Sequence, residues 1–116
     1  MNIEIIRDYC LAKKAVTECF PFDEETLVFK VAGKMFALSA LEKSTNIVLK
    51  CDPDRAIELR EHYPSITGAY HMNKTMWNQI EIDGSISDEM IMEFIDHSYE
   101  LVVSKLPKKV RADFGL

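Results

Sequence analysis

The stretch "TLVFKVAGKMFALSA", residues 26–40, contains two runs of alternating apolar residues on either side of Ala32-Gly33. Such a pattern is typical of an antiparallel hairpin with a two-residue turn. Alanine disfavours the positive φ of a type I′ turn, so the alternative is a four-residue loop that keeps the same alternation of faces. The pairs predicted outward from the turn are Val31 with Lys34, Phe29 with Phe36, and Leu27 with Leu38, which puts the apolar side chains on one face.

Three helices are predicted from capping residues and apolar periodicity. The clearest start lies in "CDPDRAIELREHY" (51–63), where an aspartate caps the helix and a proline takes its first position. The first helix is predicted from Ile3 to about Lys13, after an asparagine N-cap. The last helix is predicted from Ser87 to about Leu106, where a proline follows.

Three further strands complete the predicted fold. "NIVLKC" (46–51) continues the meander, and "GAYHM" (68–72) and "WNQIEID" (77–83) are read as two short strands. The order is α-β-β-β-α-β-β-α, and neighbouring strands joined locally form antiparallel sheet. We therefore expect one α+β domain over 1–116, a two-layer sandwich of a five-stranded antiparallel sheet and three helices.

One face of this sheet is expected to be open or used for association. If the parity holds, Trp77 lies on that face as an exposed or rim side chain, suited to anchoring an interface or stacking on a base. The alternative is that a loop or terminal segment folds over it, since tryptophan is mostly buried in proteins. The residues predicted on this face are Val28, Lys30, Val48, Lys50, Trp77, Gln79 and Glu81.

Composition is that of a globular cytoplasmic protein. Hydrophobic residues make up 47% and charged residues 28% of the 116 positions. The three cysteines form no CxxC pair, as expected in a reducing compartment. The N-terminal stretch lacks the features of a signal peptide, and uncharged runs are too short to cross a bilayer. We therefore expect no membrane partner.

No sequence motif indicates catalysis, a metal or a cofactor. The three histidines lie on different elements, and there is no HExxH, GxGxxG or Walker pattern. His71 would act as a general base only if the fold placed it beside a cysteine or a carboxylate. His97 lies between Glu93 and Glu100 on the last helix, which predicts a raised histidine pKa. We expect neither an enzyme nor a bound metal or cofactor.

Positive charge is concentrated near the C-terminus of an acidic chain. The net charge is −5, yet "KLPKKVR" (105–111) holds four basic residues and no acid. Cations at the end of a helix favour its negative dipole, but this does not account for all four. The remaining possibility is a phosphate-contacting patch, aided by Lys30, Lys34, Lys50 and Lys74 if the fold gathers them.

Four stretches together resemble the MmcQ/YjbR family of small bacterial proteins. They are "FPFDEETLVFKVAGKMFAL" (20–38), "LKCDPDRAIELRE" (49–61), "YHMNKTMWN" (70–78) and "DHSYELVVSKLPKKVR" (96–111). The resemblance covers nearly the whole chain in order. It implies the α-β-β-β-α-β-β-α arrangement and a fold likened to a "double wing" DNA-binding domain, with DNA as the expected partner.

The resulting hypothesis is a binding module without catalytic activity that contacts DNA. The alternative is a protein- or small-ligand-binding module on the same surface, and an enzyme comes third. Strong salt dependence would favour nucleic acid, and an apolar groove near Trp77 would favour a peptide or ligand. The candidate residues are Tyr70, His71, Asn73, Lys74, Trp77, Asn78, Lys105, Lys108, Lys109 and Arg111, with Lys30, Lys34 and Lys50 as secondary candidates.

Overall fold

The computed structural model describes residues 1–40, 46–69, 72–73 and 75–116, which form four helices and six strands. The helices are α1 (Ile3–Leu11), α2 (Pro53–His62), α3 (Asp88–Ser104) and α4 (Lys108–Phe114). The strands are β1 (Val16–Cys19), β2 (Thr26–Val31), β3 (Lys34–Ala40), β4 (Asn46–Lys50), β5 (Ile66–Gly68) and β6 (Trp77–Glu81). They form one antiparallel sheet in the order β1-β2-β3-β4-β6-β5. The predicted α+β class is confirmed.

The count of elements differs from the prediction in two places. β1 adds an edge strand beside β2, with Val16 opposite Val31, and α4 adds a short helix after Pro107. The strand predicted at 68–72 lies earlier, at Ile66–Gly68. Short segments next to prolines carry too few residues to show a period, which is why β1 and α4 were missed.

The hairpin between β2 and β3 has the predicted two-residue turn. Ala32 and Gly33 both adopt positive φ, 48° and 83°, as a type I′ turn requires. The Ala32 N–H donates to the carbonyl of Ala15 at 3.0 Å, so the alanine is held in this conformation by a neighbouring loop. Val31 lies opposite Lys34, as predicted.

Beyond the turn, a bulge changes the register of this hairpin. Phe29 lies opposite Ala37, not Phe36, and Leu27 lies opposite Ser39, so the two predicted pairs beyond the turn are wrong. The extra residue lets Phe36 and Ala37 both face the core, while Met35 reaches the opposite face of the sheet.

The core lies between the helices and one face of the sheet. Each of α1, α2 and α3 begins with a side-chain cap: Asn2, Asp52 and Ser87 accept the N–H of the residue three positions on. In the described part of the chain, no helix is long and apolar enough to span a membrane. The core side chains include Ile6 and Cys10 from α1, Phe94 and Ile95 from α3, and Phe29, Phe36 and Leu49 from the sheet.

Ser98 joins α3 to the sheet where the β3–β4 ladder ends. The pairs Ala37–Leu49 and Leu38–Val48 form that ladder. At the next position the fully buried Ser98 hydroxyl donates to the Phe36 carbonyl at 2.5 Å and accepts the Lys50 N–H at 2.9 Å. The hydroxyl therefore bridges a backbone donor and a backbone acceptor across the two strands.

Replacing Ser98 by alanine should lower the free energy of unfolding by about 2–3 kcal/mol, because it leaves a buried N–H and a buried carbonyl without this partner. Urea unfolding followed by circular dichroism measures the loss. Ser104→Ala is the matched control on α3, since the exposed Ser104 hydroxyl donates only to the Leu101 carbonyl within its own helix. Equal losses in the two variants would contradict the bridging role.

Candidate functional site

The sheet face opposite the core carries a second set of apolar side chains, which we name the outer apolar cluster. Val28, Leu38, Ala69 and Trp77 are buried in it. This confirms the prediction that Val28 and Trp77 share this face. The partly buried side chains packed around them are Cys19, Met35, Val48, Met72 and Met76.

Trp77 is buried in this cluster, so the alternative in which another segment folds over it is confirmed and the exposed position is wrong. Only 7% of the residue is exposed. Met72 and Met76, from the segment before β6, pack against the cluster, and the Ala69 N–H donates to the Trp77 carbonyl at 3.0 Å. Trp77 therefore anchors the outer face, and a base has no exposed ring face to stack on.

A shallow cleft of about 190 Å³ lies at the end of the sheet where β3 begins, β4 ends and β6 begins. We name it the basic cleft. The last turn of α3 and the proline after it complete its wall. Lys50 lies directly opposite Trp77 in the β4–β6 register, and both residues line the cleft. The cleft is lined by Lys34, Met35, Lys50, Trp77, Val102, Lys105, Leu106 and Pro107.

The basic cleft concentrates uncompensated positive charge. Burial lowers the pKa of the Lys50 ammonium, and the nearby charge of Lys105 lowers it further. No carboxylate lines the cleft among the described residues, and none there forms an ion pair with Lys34, Lys50 or Lys105. An anion bound between these ammonium groups would offset their mutual repulsion.

The structure brings together some of the predicted basic residues and separates others. Lys105 lines the same cleft as Lys34 and Lys50, which were predicted as secondary candidates. Lys108 and Lys109 follow the cleft as exposed residues at the start of α4. The cleft is not lined by Arg111, which lies further along α4, or by the half-buried Lys30. The remaining candidates lie outside the described residues: Tyr70, His71 and Lys74.

The two candidate asparagines have structural roles. Asn78 is 2% exposed and faces α2: its amide donates to the Ala56 carbonyl at 3.3 Å and accepts from Arg60 at 2.9 Å. Its assignment to the candidate surface is therefore wrong. Asn73 is exposed, and its side-chain oxygen accepts the Thr75 N–H at 3.0 Å, which shapes the turn before β6.

A larger, apolar pocket of about 360 Å³ lies on the other side of the outer apolar cluster. Val48 and Gln79 were predicted on this face from the alternation of the strands, but the pocket has no signal in the sequence. Leu38, Val48, Ala69 and Met72 belong both to the cluster and to the pocket wall. The full lining, which defines the apolar pocket below, is Phe22, Asp23, Thr26, Leu38, Ala40, Val48, Ala69, Met72 and Gln79.

His97 is held neutral and not charged, which corrects the predicted raised pKa. Its Nε2 accepts the Asp52 N–H at 3.2 Å. Burial lowers the His97 pKa, and the positive charge of Arg55 lowers it further. Glu93, which was expected to pair with this histidine, is bound instead by Arg55 at 2.7 and 2.9 Å.

This lowered pKa predicts that acid destabilises the fold through His97. The unfolded chain binds the proton more readily, so the His97 contribution is complete above about pH 6.5 and is lost as the pH falls towards the folded pKa. Between pH 7 and pH 5, the wild type should lose more stability than His97→Gln, whose amide oxygen can still accept the Asp52 N–H. Urea unfolding across this range tests it, with His62→Gln on α2 as the matched control. Parallel curves for wild type and His97→Gln would contradict it.

The buried thiols are poorly suited to nucleophilic chemistry. Burial raises the pKa of Cys10 to about 12 and also raises that of Cys51, so both are protonated at neutral pH. Within residues 1–40, 46–69, 72–73 and 75–116, no three His, Cys, Asp or Glu side chains gather as metal ligands would.

The chain matches the family model described as YjbR over residues 11–101. Its relatives include the uncharacterised protein YbdF of Escherichia coli O157:H7, 38% identical over 78% of this chain and 75% of that protein. Another is the uncharacterised protein YjbR of Escherichia coli strain K12, 30% identical over 96% of this chain and 95% of that protein.

Two solved structures share the fold of this chain. Deinococcus radiodurans protein DR2400, a domain of the DUF419 type, superposes with a TM-score of 0.95 at 38% identity, covering 99% of this chain and 88% of that one. A Pseudomonas syringae protein superposes with a TM-score of 0.77 at 27% identity, covering 87% and 98% of the two chains. On sequence and fold together, the chain belongs to the YjbR family.

Proposed function

We propose that this protein is a non-enzymatic binding module that holds the phosphate backbone of DNA in the basic cleft. The observation that carries the proposal is the convergence of Lys34, Lys50 and Lys105 on one cleft with no carboxylate among its described lining residues. Lys108 and Lys109, which directly follow the cleft, extend the positive surface along the nucleic acid.

The apolar surroundings of the three lysines strengthen their attraction to a phosphate group. Met35, Val102 and Leu106 supply an apolar wall. Such a wall lowers the local dielectric and strengthens the attraction between ammonium groups and an anion. The sugar beside a bound phosphate would contact the same apolar surface. Burial is the larger cause of the lowered Lys50 pKa and the charge of Lys105 the smaller one, and an anion bound between these two lysines would favour the charged form of Lys50.

The expected affinity is modest and independent of base sequence. Phosphate contacts fix position on DNA but carry no sequence information, and the ring of Trp77 is too buried to read a base. The chain as a whole carries a charge of −5, so the rest of the surface repels DNA outside the cleft. Binding should therefore weaken steeply as salt screens the lysines.

A role without catalysis is supported by what one histidine and two buried thiols do in the described part of the chain; the candidate base His71 lies outside it. His97 accepts a backbone N–H, and the Cys10 and Cys51 thiols are buried with raised pKa values. Each of these groups is committed to structure, and none lines the basic cleft or the apolar pocket.

A second candidate is a protein- or small-ligand-binding module. It is favoured by the apolar pocket, whose volume of about 360 Å³ lies in the usual range for ligand sites. Phe22, which lines this pocket and is 61% exposed, would suit a protein partner.

Fluorescence anisotropy of labelled duplex and single-stranded DNA, titrated with the protein at 50 and 200 mM salt, tests the proposal. Micromolar binding at the lower salt that weakens at least tenfold at the higher salt is the expected result for three or more phosphate contacts. Absence of binding at 50 mM salt would overturn the DNA proposal and leave the second candidate.

A further inference from the structure

We infer that the apolar pocket binds a small amine with an apolar body. This inference is independent of the DNA proposal, because the pocket and the basic cleft share no lining residue. The occupant would place its hydrocarbon or aromatic part against the outer apolar cluster and its ammonium group at the mouth, near Asp23.

The pocket has the size and wall of a small-molecule site. Its volume of about 360 Å³ exceeds that of a naphthalene-sized molecule, and its floor includes the buried side chains of Leu38 and Ala69. Val48 and Met72 are half-buried on the same wall. A methionine adapts its shape to different apolar ligands, so Met72 is suited to closing around one.

The polar groups of the pocket favour a donor and a positive charge. The Asp23 carboxylate accepts the N–H groups of Glu25 and Thr26 at 2.8 and 2.7 Å, and these hydrogen bonds lower its pKa. The carboxylate therefore stays ionised at neutral pH. Gln79 donates its amide N–H to Glu81 at 3.0 Å, which leaves the amide oxygen of Gln79 as an acceptor. No lysine or arginine is among the described lining residues.

Charge along the outer face separates the two sites. On β4, Val48 lines the apolar pocket while Lys50, about 7 Å further along the strand, lines the basic cleft. On β6, Gln79 lines the pocket and Trp77 lines the cleft. Trp77 and its neighbours thus stand between an acidic-edged pocket and a cationic cleft. The cationic cleft attracts a phosphate, and the acidic-edged pocket attracts an amine.

The test compares 2-naphthylmethylamine with 2-naphthoate, two probes of similar size and opposite charge, titrated into ¹⁵N-labelled protein. The amine should shift the backbone amides of Leu38, Val48 and Gln79 and bind about fivefold more tightly than the carboxylate. Asp23→Asn keeps a side-chain oxygen for the two loop N–H groups, yet should remove most of that preference.

Two further variants test the location. Val48→Phe fills the pocket and should abolish binding of the amine, and Phe22→Ala removes an exposed wall residue and should weaken it about fivefold without endangering the fold. Glutamine at Lys34, Lys50 and Lys105 should leave amine binding unchanged, so this proposal and the DNA proposal fail separately.

Three outcomes would overturn the inference. They are no binding of the amine at millimolar concentration, a carboxylate that binds as tightly as the amine, and amine binding that is insensitive to Phe22→Ala and Asp23→Asn. Phe22→Ala and Asp23→Asn still test the inference if Val48→Phe does not fold.

Discussion

Replacing Lys34, Lys50 and Lys105 together by glutamine is expected to lower the affinity for duplex DNA about 3,000-fold at 50 mM salt. Each lysine that neutralises one phosphate contributes about 0.9 to the slope of log affinity against log salt. Three such contacts contribute roughly three and a half powers of ten at 50 mM relative to molar salt. The three ammonium groups line one cleft, so the variant removes the whole site.

Anisotropy of labelled duplex measures this loss, and a second triple variant controls for net charge. The control replaces Arg7, Lys14 and Arg55 by glutamine. It changes the net charge by the same amount as the cleft variant, but its three positions lie outside the basic cleft. Arg7 and Arg55 are in exposed ion pairs with Glu18 and Glu93, which contribute little to stability. This control should retain most of the affinity. Equal losses in the two triples would show that net charge, and not the cleft, governs binding.

Replacing Trp77 by alanine is expected to destabilise the fold by about 3–5 kcal/mol, the largest effect of a single substitution considered for this chain. The residue is only 7% exposed and packs with Val28, Leu38 and Ala69. Truncation leaves a cavity on the outer face that the strands of the sheet cannot close. Trp77→Phe should cost less, because much of the apolar area remains.

Urea unfolding followed by far-ultraviolet circular dichroism measures this effect without relying on the lost fluorophore. Phe114→Ala is the matched control, since that aromatic residue is 46% exposed near the C-terminus. Its substitution should cost under about 0.5 kcal/mol. A Trp77→Ala variant as stable as Phe114→Ala would contradict the burial of the ring in the outer apolar cluster.

Local signals in the sequence were sufficient to predict most of the framework. The aspartate and proline before α2 act through capping and fixed φ, which are properties of the residues themselves. The Ala32-Gly33 turn and the antiparallel class also follow from neighbouring residues. The bulge at Phe36 does not follow from neighbouring residues. Adjacent apolar residues in "MFAL" fit two registers, and packing against α3 selects the one in which the Phe36 carbonyl meets Ser98.

The candidate site was predicted only in part, because burial depends on partners distant in sequence. Alternation placed Trp77 on the correct face, but periodicity cannot show that Met72 and Met76 pack there. The convergence of Lys34, Lys50 and Lys105 likewise depends on the path of α3, whose end lies beside the first residue of β3 and the last of β4. The His97 pKa was predicted in the wrong direction because burial, which lowers it most, and the charge of Arg55, which lowers it further, both depend on packing between helices.

The most direct test of phosphate binding in the basic cleft is the difference in salt slope between the wild type and the Lys34, Lys50 and Lys105 triple glutamine variant. Anisotropy titrations with duplex DNA over a series of salt concentrations give both slopes. If each of these lysines contacts one phosphate, as proposed, the slope should be shallower by about 2.7 in the variant. Equal slopes in the two proteins would show that these lysines contact no phosphate, and the proposed function would be wrong.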